Sequence, residues 1–140
     1  MSGNVQSSGE DGIEARHVGT GDLTITAANT ASDAQVTGNN RGIAVFNVRG
    51  GATSITANNV SSTNGQAIQA YNYANAGDLS ITVDGVVESA AAAGIFANQG
   101  GTGDLAITAA NAAGDASVSG TTNGIFASGL TGSGAMSVTA

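Results

Sequence analysis

The chain has 140 residues, with 22 Gly, no Pro, no Cys and no Trp, and a formal charge of −7 at neutral pH. Its strong cations are Arg16, Arg41 and Arg49, too few to neutralise a run of phosphates or an anionic bilayer, so nucleic acid and membrane surfaces are not expected partners. No apolar run approaches the roughly 18 residues of a membrane-spanning helix, so no membrane insertion by this segment is expected.

Residues 1–20 read as a partial coil with two alternating segments, one centred on Val5 and one on Ile13 and Ala15. A stretch at 21–29, GDLTITAAN, then opens the first full coil. It returns as GATSITANN, GDLSITVDG and GDLAITAAN, and the chain ends within GAMSVTA at 134–140. Coils therefore start at Gly21, Gly51, Gly77, Gly103 and Gly134, with periods of 30, 26, 26 and 31 residues. Low charge and abundant Gly alone can mean disorder. Disorder, however, does not place an apolar residue at every second position in register across copies, and periods of this size point to a solenoid.

Within each coil three short segments recur. The opening one places Leu23, Thr53, Leu79, Leu105 and Met136 in one column, and Ile25, Ile55, Ile81, Ile107 and Val138 in the next. Ala27, Ala57, Val83, Ala109 and Ala140 form a third. Period two with β-branched residues predicts a strand with these columns inward. A turn is expected at Asn29, Asn59, Gly85 and Asn111, residue types that tolerate positive φ. The second segment carries Val5, Val36, Val60, Val87 and Val118. The third carries Ile13, Ile43, Ile68, Ile95 and Ile125, with Ala15, Val45, Ala70, Ala97 and Ala127 two residues on.

Three strands per turn predict an all-β, parallel, three-sided β-helix of about five coils, one β-solenoid segment over 1–140 without evident end caps. Its five levels would stack at about 4.8 Å each. A propeller would need about 40 residues and four strands per blade. Length variation falls at the corners, so residues 30–35 (TASDAQ) and 112–117 (AAGDAS) are expected loops. The uncapped ends predict unpaired strand edges and end-to-end self-association.

The pattern G-[DA]-[LTM]-[TSA]-[IV]-T, followed by a Val strand and G-I-[FA]-A, resembles the repeats of bacterial autotransporter passenger domains. The residues that carry it are GDLTIT, GDLSIT, GDLAIT, GIFANQGGTGDL and GIFASGLTGSGAMSV. The resemblance implies a right-handed β-helix on the bacterial cell surface or secreted, adhesin-like, with a host or abiotic surface, a glycan or a protein receptor as partner. It also implies a membrane barrel elsewhere in the protein as anchor. Met1-Ser-Gly-Asn has neither the basic nor the apolar region of a signal peptide, so an exported protein would carry its leader outside this chain. The repeats of that family are scaffold, and no functional residue follows from them.

Candidate chemistry is sparse. No catalytic constellation and no cofactor motif is found, so an enzyme is not expected; a carbohydrate-active β-helix enzyme is the remote alternative. The single histidine, His17, is expected as a solvated turn residue between Ile13 and Gly21. Asp22, Asp78 and Asp104 share a position, interrupted by Ala52. They are expected to accept backbone N–H groups in turns. Calcium shared by Asp78 and Asp104 is the alternative, but the Ca²⁺-binding nonapeptide repeat is absent, and no metal site is assigned.

Two outward sets remain as candidate binding residues. The first is a hydroxyl face: Thr24, Ser54, Ser80 and Ser137, interrupted by Ala106, beside Thr26, Thr56, Thr82, Thr108 and Thr139. It is similar to the Thr arrays of ice-binding β-helices, which makes an ice or crystalline surface the second functional reading. Cross-strand Thr pairs also simply suit an exposed strand. The second set is aromatic. Phe96 and Phe126 are expected to stack on adjacent coils, and Phe46 and Tyr71 to share another position near Tyr73. They either cover a corner or form a partner or glycan contact face.

Overall fold

A computed structural model describes residues 4–28, 31, 33–109, 114–130 and 133–140. Fifteen strands, numbered in chain order, form three parallel sheets of five, and no helix occurs among the described residues. Sheet A holds β1 (Asn4–Gln6), β4 (Gln35–Gly38), β7 (Asn59–Ser62), β10 (Val86–Ser89) and β13 (Ser117–Gly120). Sheet B holds β2 (Ile13–His17), β5 (Ile43–Asn47), β8 (Ile68–Asn72), β11 (Ile95–Gln99) and β14 (Ile125–Gly129). Sheet C holds β3 (Leu23–Ala27), β6 (Thr53–Ala57), β9 (Leu79–Val83), β12 (Leu105–Ala109) and β15 (Met136–Thr139).

Parallel neighbours need a long crossover connection. Here the other two strands of the coil supply it, so every third strand pairs with its equivalent one level on. The repeat is therefore the register. Leu23 pairs with Thr53, Thr53 with Leu79, Leu79 with Leu105 and Leu105 with Met136. Val60 sits between Val36 and Val87, and Ile68 between Ile43 and Ile95. Three strands per coil also dispose of the propeller.

The columns fill the interior. Ile43, Ile55, Ile68, Ile81 and Ile95 are fully buried, with Val36, Val60 and Val87 facing them from sheet A. Each such side chain contributes about 1.5–3 kcal/mol on leaving water. In the first and last coils the same columns have a neighbour on one side only: Ile13, Leu23, Val118 and Ile125 are partly buried, and Met136, Val138 and Ala140, expected inward, are exposed because no further coil covers them.

The corners differ from the sequence reading. Asn59 does not sit in a left-handed turn but opens β7, and Gly85 does not have positive φ. Gly114 alone among the described glycines does, at 75°. Gly85 is glycine for lack of room: a Cβ there would stand 2.6 Å from Asn59 Oδ1 and 3.0 Å from the Asn58 carbonyl oxygen. Crowding by the adjacent coil selects the residue, not backbone handedness. Asn58, one residue earlier, is the buried corner group, and its amide donates to Asp84 Oδ1 at 2.7 Å. Asn29 and Asn111 lie outside the described residues, as do parts of both expected loops. Gln35 and Ser117 belong to strands, so each loop ends one residue earlier than expected.

Candidate functional site

The outer face of sheet B follows from its register. Two outward columns run Glu14, Ala44, Gln69, Phe96, Phe126 and Arg16, Phe46, Tyr71, Asn98, Ser128. The aromatics change column between the third and fourth coils, yet they form one stack. Phe46 and Tyr71 lie 5.9 Å apart with rings 8° from parallel, and Phe96 and Phe126 lie 4.9 Å apart at 10°. Tyr71 bridges the two halves, with its ring 5.4 Å from Phe96 at 41°. Tyr73 joins from the corner at 6.0 Å. The expected pairs are present, and their union into a ladder is a new feature. Such pairs contribute about 0.5–1.5 kcal/mol each beyond the area they bury.

Arg41 closes one end of the ladder. Its guanidinium lies 5.6 Å from the Phe46 centroid, forms an ion pair with Asp11 at 2.8 Å and donates to Gln69 Oε1. Gln69 is the neighbour of Ala44 in its column, and Ala44, though outward, is fully buried.

A third outward column continues where sheet B turns toward sheet C. The Val48, Tyr73, Gly100 and Leu130 amides donate to the carbonyls of His17, Asn47, Asn72 and Gln99 respectively, which aligns Val18, Val48, Tyr73, Gly100 and Leu130. Val18, Tyr73 and Leu130 are 59%, 46% and 58% exposed. This apolar strip was not expected from the sequence; the two-residue offsets Phe46–Val48 and Tyr71–Tyr73 were the available sign. Between strip and ladder, Glu14, Arg16, Phe46, Val48 and Tyr73 line a cleft of about 400 Å³.

Sheet C presents a different surface. Thr26, Thr56, Thr82, Thr108 and Thr139 are aligned residue by residue, and Thr24, Ser54, Ser80, Ala106 and Ser137 run beside them. All are exposed or half-buried. With neighbouring strands about 4.8 Å apart and alternate residues about 7 Å apart, they form a two-rank array.

Inside the same corner lies a polar ladder. The last inward position of sheet B runs His17, Asn47, Asn72, Gln99 and Gly129. Asn47 Nδ2 donates to the Gly51 carbonyl at 3.0 Å and to Thr53 Oγ1 at 2.8 Å. The Thr53 hydroxyl donates to Asn72 Oδ1 at 2.7 Å. Asn72 Nδ2 reaches the Gly77 and Asp78 carbonyls at 2.9 and 3.1 Å, and Gln99 Nε2 reaches Gly77 at 2.7 Å. Asn47, Thr53, Asn72 and Gln99 are buried. They bind the turning backbone: the Gly77 carbonyl takes its donors from Asn72 and Gln99, whereas the Gly51 and Asp78 carbonyls also accept the Gly77 and Thr53 amides respectively, and Gln99 Oε1 is buried without a partner.

His17 belongs to this column, and the expectation of a solvated turn residue is corrected. It ends β2, and its Nε2 is buried without a hydrogen-bond partner. The aspartates accept backbone N–H groups, each from the next coil. Asp22 takes the Ala52 amide at 2.8 Å, Asp78 that of Asp104 at 2.9 Å, and Asp104 that of Ala135 at 2.7 Å. Among the described residues no group of three or more His, Cys, Asp or Glu could hold a metal ion.

Compared with protein-family models, with curated proteins and with solved structures, the chain matches none.

Proposed function

We propose that this chain is a presenting scaffold, a β-solenoid segment of a secreted or surface-displayed adhesin-like protein similar to the passenger domains of autotransporters. The observation that carries the reading is the outer face of sheet B. A rigid ladder of parallel strands holds Phe46, Tyr71, Phe96, Phe126 and Tyr73 beside an exposed apolar strip, and exposed apolar patches of this kind mark interaction surfaces. The extracellular or bacterial cell-surface setting rests on the repeat pattern, on the absence of Cys and on a surface kept soluble by hydroxyls and amides rather than charge. The partner is a host or abiotic surface, a glycan or a protein receptor. The mechanism is geometric, since no moving part is needed to present a face.

The test is retention of beads coated with the purified chain on epithelial cells and on polystyrene. Retention should fall when Tyr73 and Leu130 are both changed to Ser in a chain that keeps its β-sheet circular dichroism. Equal retention of this variant would remove the sheet B face as the contact. Protease accessibility of the full-length protein on intact cells tests display separately.

A second reading is favoured by the unbroken Thr column of sheet C. The array repeats at the strand spacing, which suits an ice or crystalline surface. Thermal hysteresis at millimolar protein is the expected sign, and its absence ends this reading.

A further inference from the structure

The cleft formed by Glu14, Arg16, Phe46, Val48 and Tyr73 is where the ladder stops being closed on itself. Phe46, Tyr71, Phe96 and Phe126 lie ring against ring, so much of their π surface is already covered by a neighbour. Phe46 has Tyr71 on one side and the Arg41 guanidinium near its ring. Tyr73 joins the stack at one side only and is 46% exposed. Phe126, at the other end, also has one ring neighbour and is 42% exposed, but the cleft with its charged side chains lies at the Tyr73 end.

The rest of the lining narrows the ligand. Glu14 and Arg16 lie two residues apart on the outer side of β2, both exposed, and neither forms an ion pair within 4.0 Å among the described residues. The carboxylate can only accept hydrogen bonds and the guanidinium can only donate them. A hydroxyl does both, so neighbouring hydroxyls on one ring satisfy this pair. The two charges cancel, which gives no local attraction for a polyanion, and the chain's charge of −7 opposes one. Val48 and Phe46 complete an apolar wall against which the C–H face of a pyranose ring can lie. The volume of about 400 Å³ falls in the range of about 300–1,000 Å³ typical of small-molecule sites.

We propose that this cleft binds a neutral hexose oligosaccharide, with Tyr73, Phe46 and Val48 against the apolar ring face, Arg16 donating to hydroxyls and Glu14 accepting from them. The proposal rests on the presenting-scaffold reading and deepens it by naming the ligand class. Surface display plays no part in the test, so failure of display and failure of the cleft are distinguishable.

The experiment is saturation-transfer NMR and titration calorimetry on the purified chain with maltohexaose, cellohexaose and mannohexaose, and with oligogalacturonate as the acidic comparison. At least one neutral hexasaccharide should bind, and Tyr73→Ala and Arg16→Ala should each weaken it at least tenfold. Arg16→Lys should recover part of the loss, and Thr82→Val, on the far sheet, should change nothing. Binding by none of the neutral sugars, binding of oligogalacturonate alone, or affinity unchanged in Tyr73→Ala and Arg16→Ala would each overturn the proposal. Matching circular dichroism spectra show that the variants remain folded.

Discussion

Sheets B and C pair in the same way through the same five coils, but they distribute polarity in opposite senses. Sheet C is apolar inside except at Thr53, with Leu79, Ile81 and Val83 fully buried, and hydroxylic outside, with Thr26 to Thr139 in one column. Sheet B begins the same way inside at Ile43, Ile68 and Ile95, but ends with buried Asn47, Asn72 and Gln99. Outside, it carries the aromatic stack. Inward and apolar are therefore not synonyms in this fold. An inward position at a corner lies next to backbone groups that have left the sheet, and a side-chain amide satisfies them where an isoleucine could not. An outward position can be apolar when its neighbour one coil away covers it.

Breaking the inner half of this contrast should have the largest effect. Asn72→Leu keeps the side-chain branching but is bulkier, and it removes the acceptor of the Thr53 hydroxyl and one of the donors to each of the Gly77 and Asp78 carbonyls, which keep Gln99 and the Thr53 amide respectively. The Thr53 hydroxyl left without its acceptor costs about 1–3 kcal/mol and fitting the bulkier Leu about 1–3 kcal/mol more, so denaturant unfolding should show a loss of about 2–4 kcal/mol. The same-column change Gln99→Leu, which removes one partner of Gly77, should cost less. A neutral Asn72→Leu would mean that the polar ladder is incidental.

The next effect lies in the outer aromatics. Phe96 contacts both Tyr71 and Phe126, so Phe96→Ser removes two ring pairs, each contributing about 0.5–1.5 kcal/mol beyond area. The midpoint of urea unfolding should fall correspondingly, by about 1–3 kcal/mol in free energy. Sugar or surface binding at the Tyr73 end should be kept, since Phe96 does not line the cleft.

The smallest effect is expected on sheet C. Thr56→Val and Thr82→Val together keep β-branching, and surface changes of this kind stay within about 0.5 kcal/mol each. The variant should unfold at nearly the same denaturant concentration as the parent. It should lose any thermal hysteresis the parent shows, because the hydroxyl rank would be interrupted in adjacent coils.

The coils, their starts and the partners of every strand were legible in the repeat, because in a stacked parallel solenoid the repeat offset is the pairing register. Phe96 beside Phe126 and Phe46 beside Tyr71 were legible for the same reason. Thr53 was readable as inward from its Leu column, but its hydroxyl's role was not, since its partners Asn47 and Asn72 belong to two different coils. His17 misled because its separation from Gly21 suggested a turn, while its pairing with Asn47 makes it strand. Gly85 misled because glycine serves both conformational freedom and close approach, and only neighbouring atoms distinguish them.

The sequence by itself determined the number of coils, the three-strand turn and the columns of the core, because alternation and period are properties of position along the chain. Only the tertiary structure decided that Tyr71 and Phe96 join two aromatic columns into one stack, that the corner is lined by amides, and that Glu14, Arg16 and Tyr73 share a cleft. The aromatic union and the cleft relate positions that do not repeat, and the amides, though they recur four residues after Ile43, Ile68 and Ile95, meet their partners across the corner. These relations depend on where side chains end in space, which no periodicity in the chain encodes.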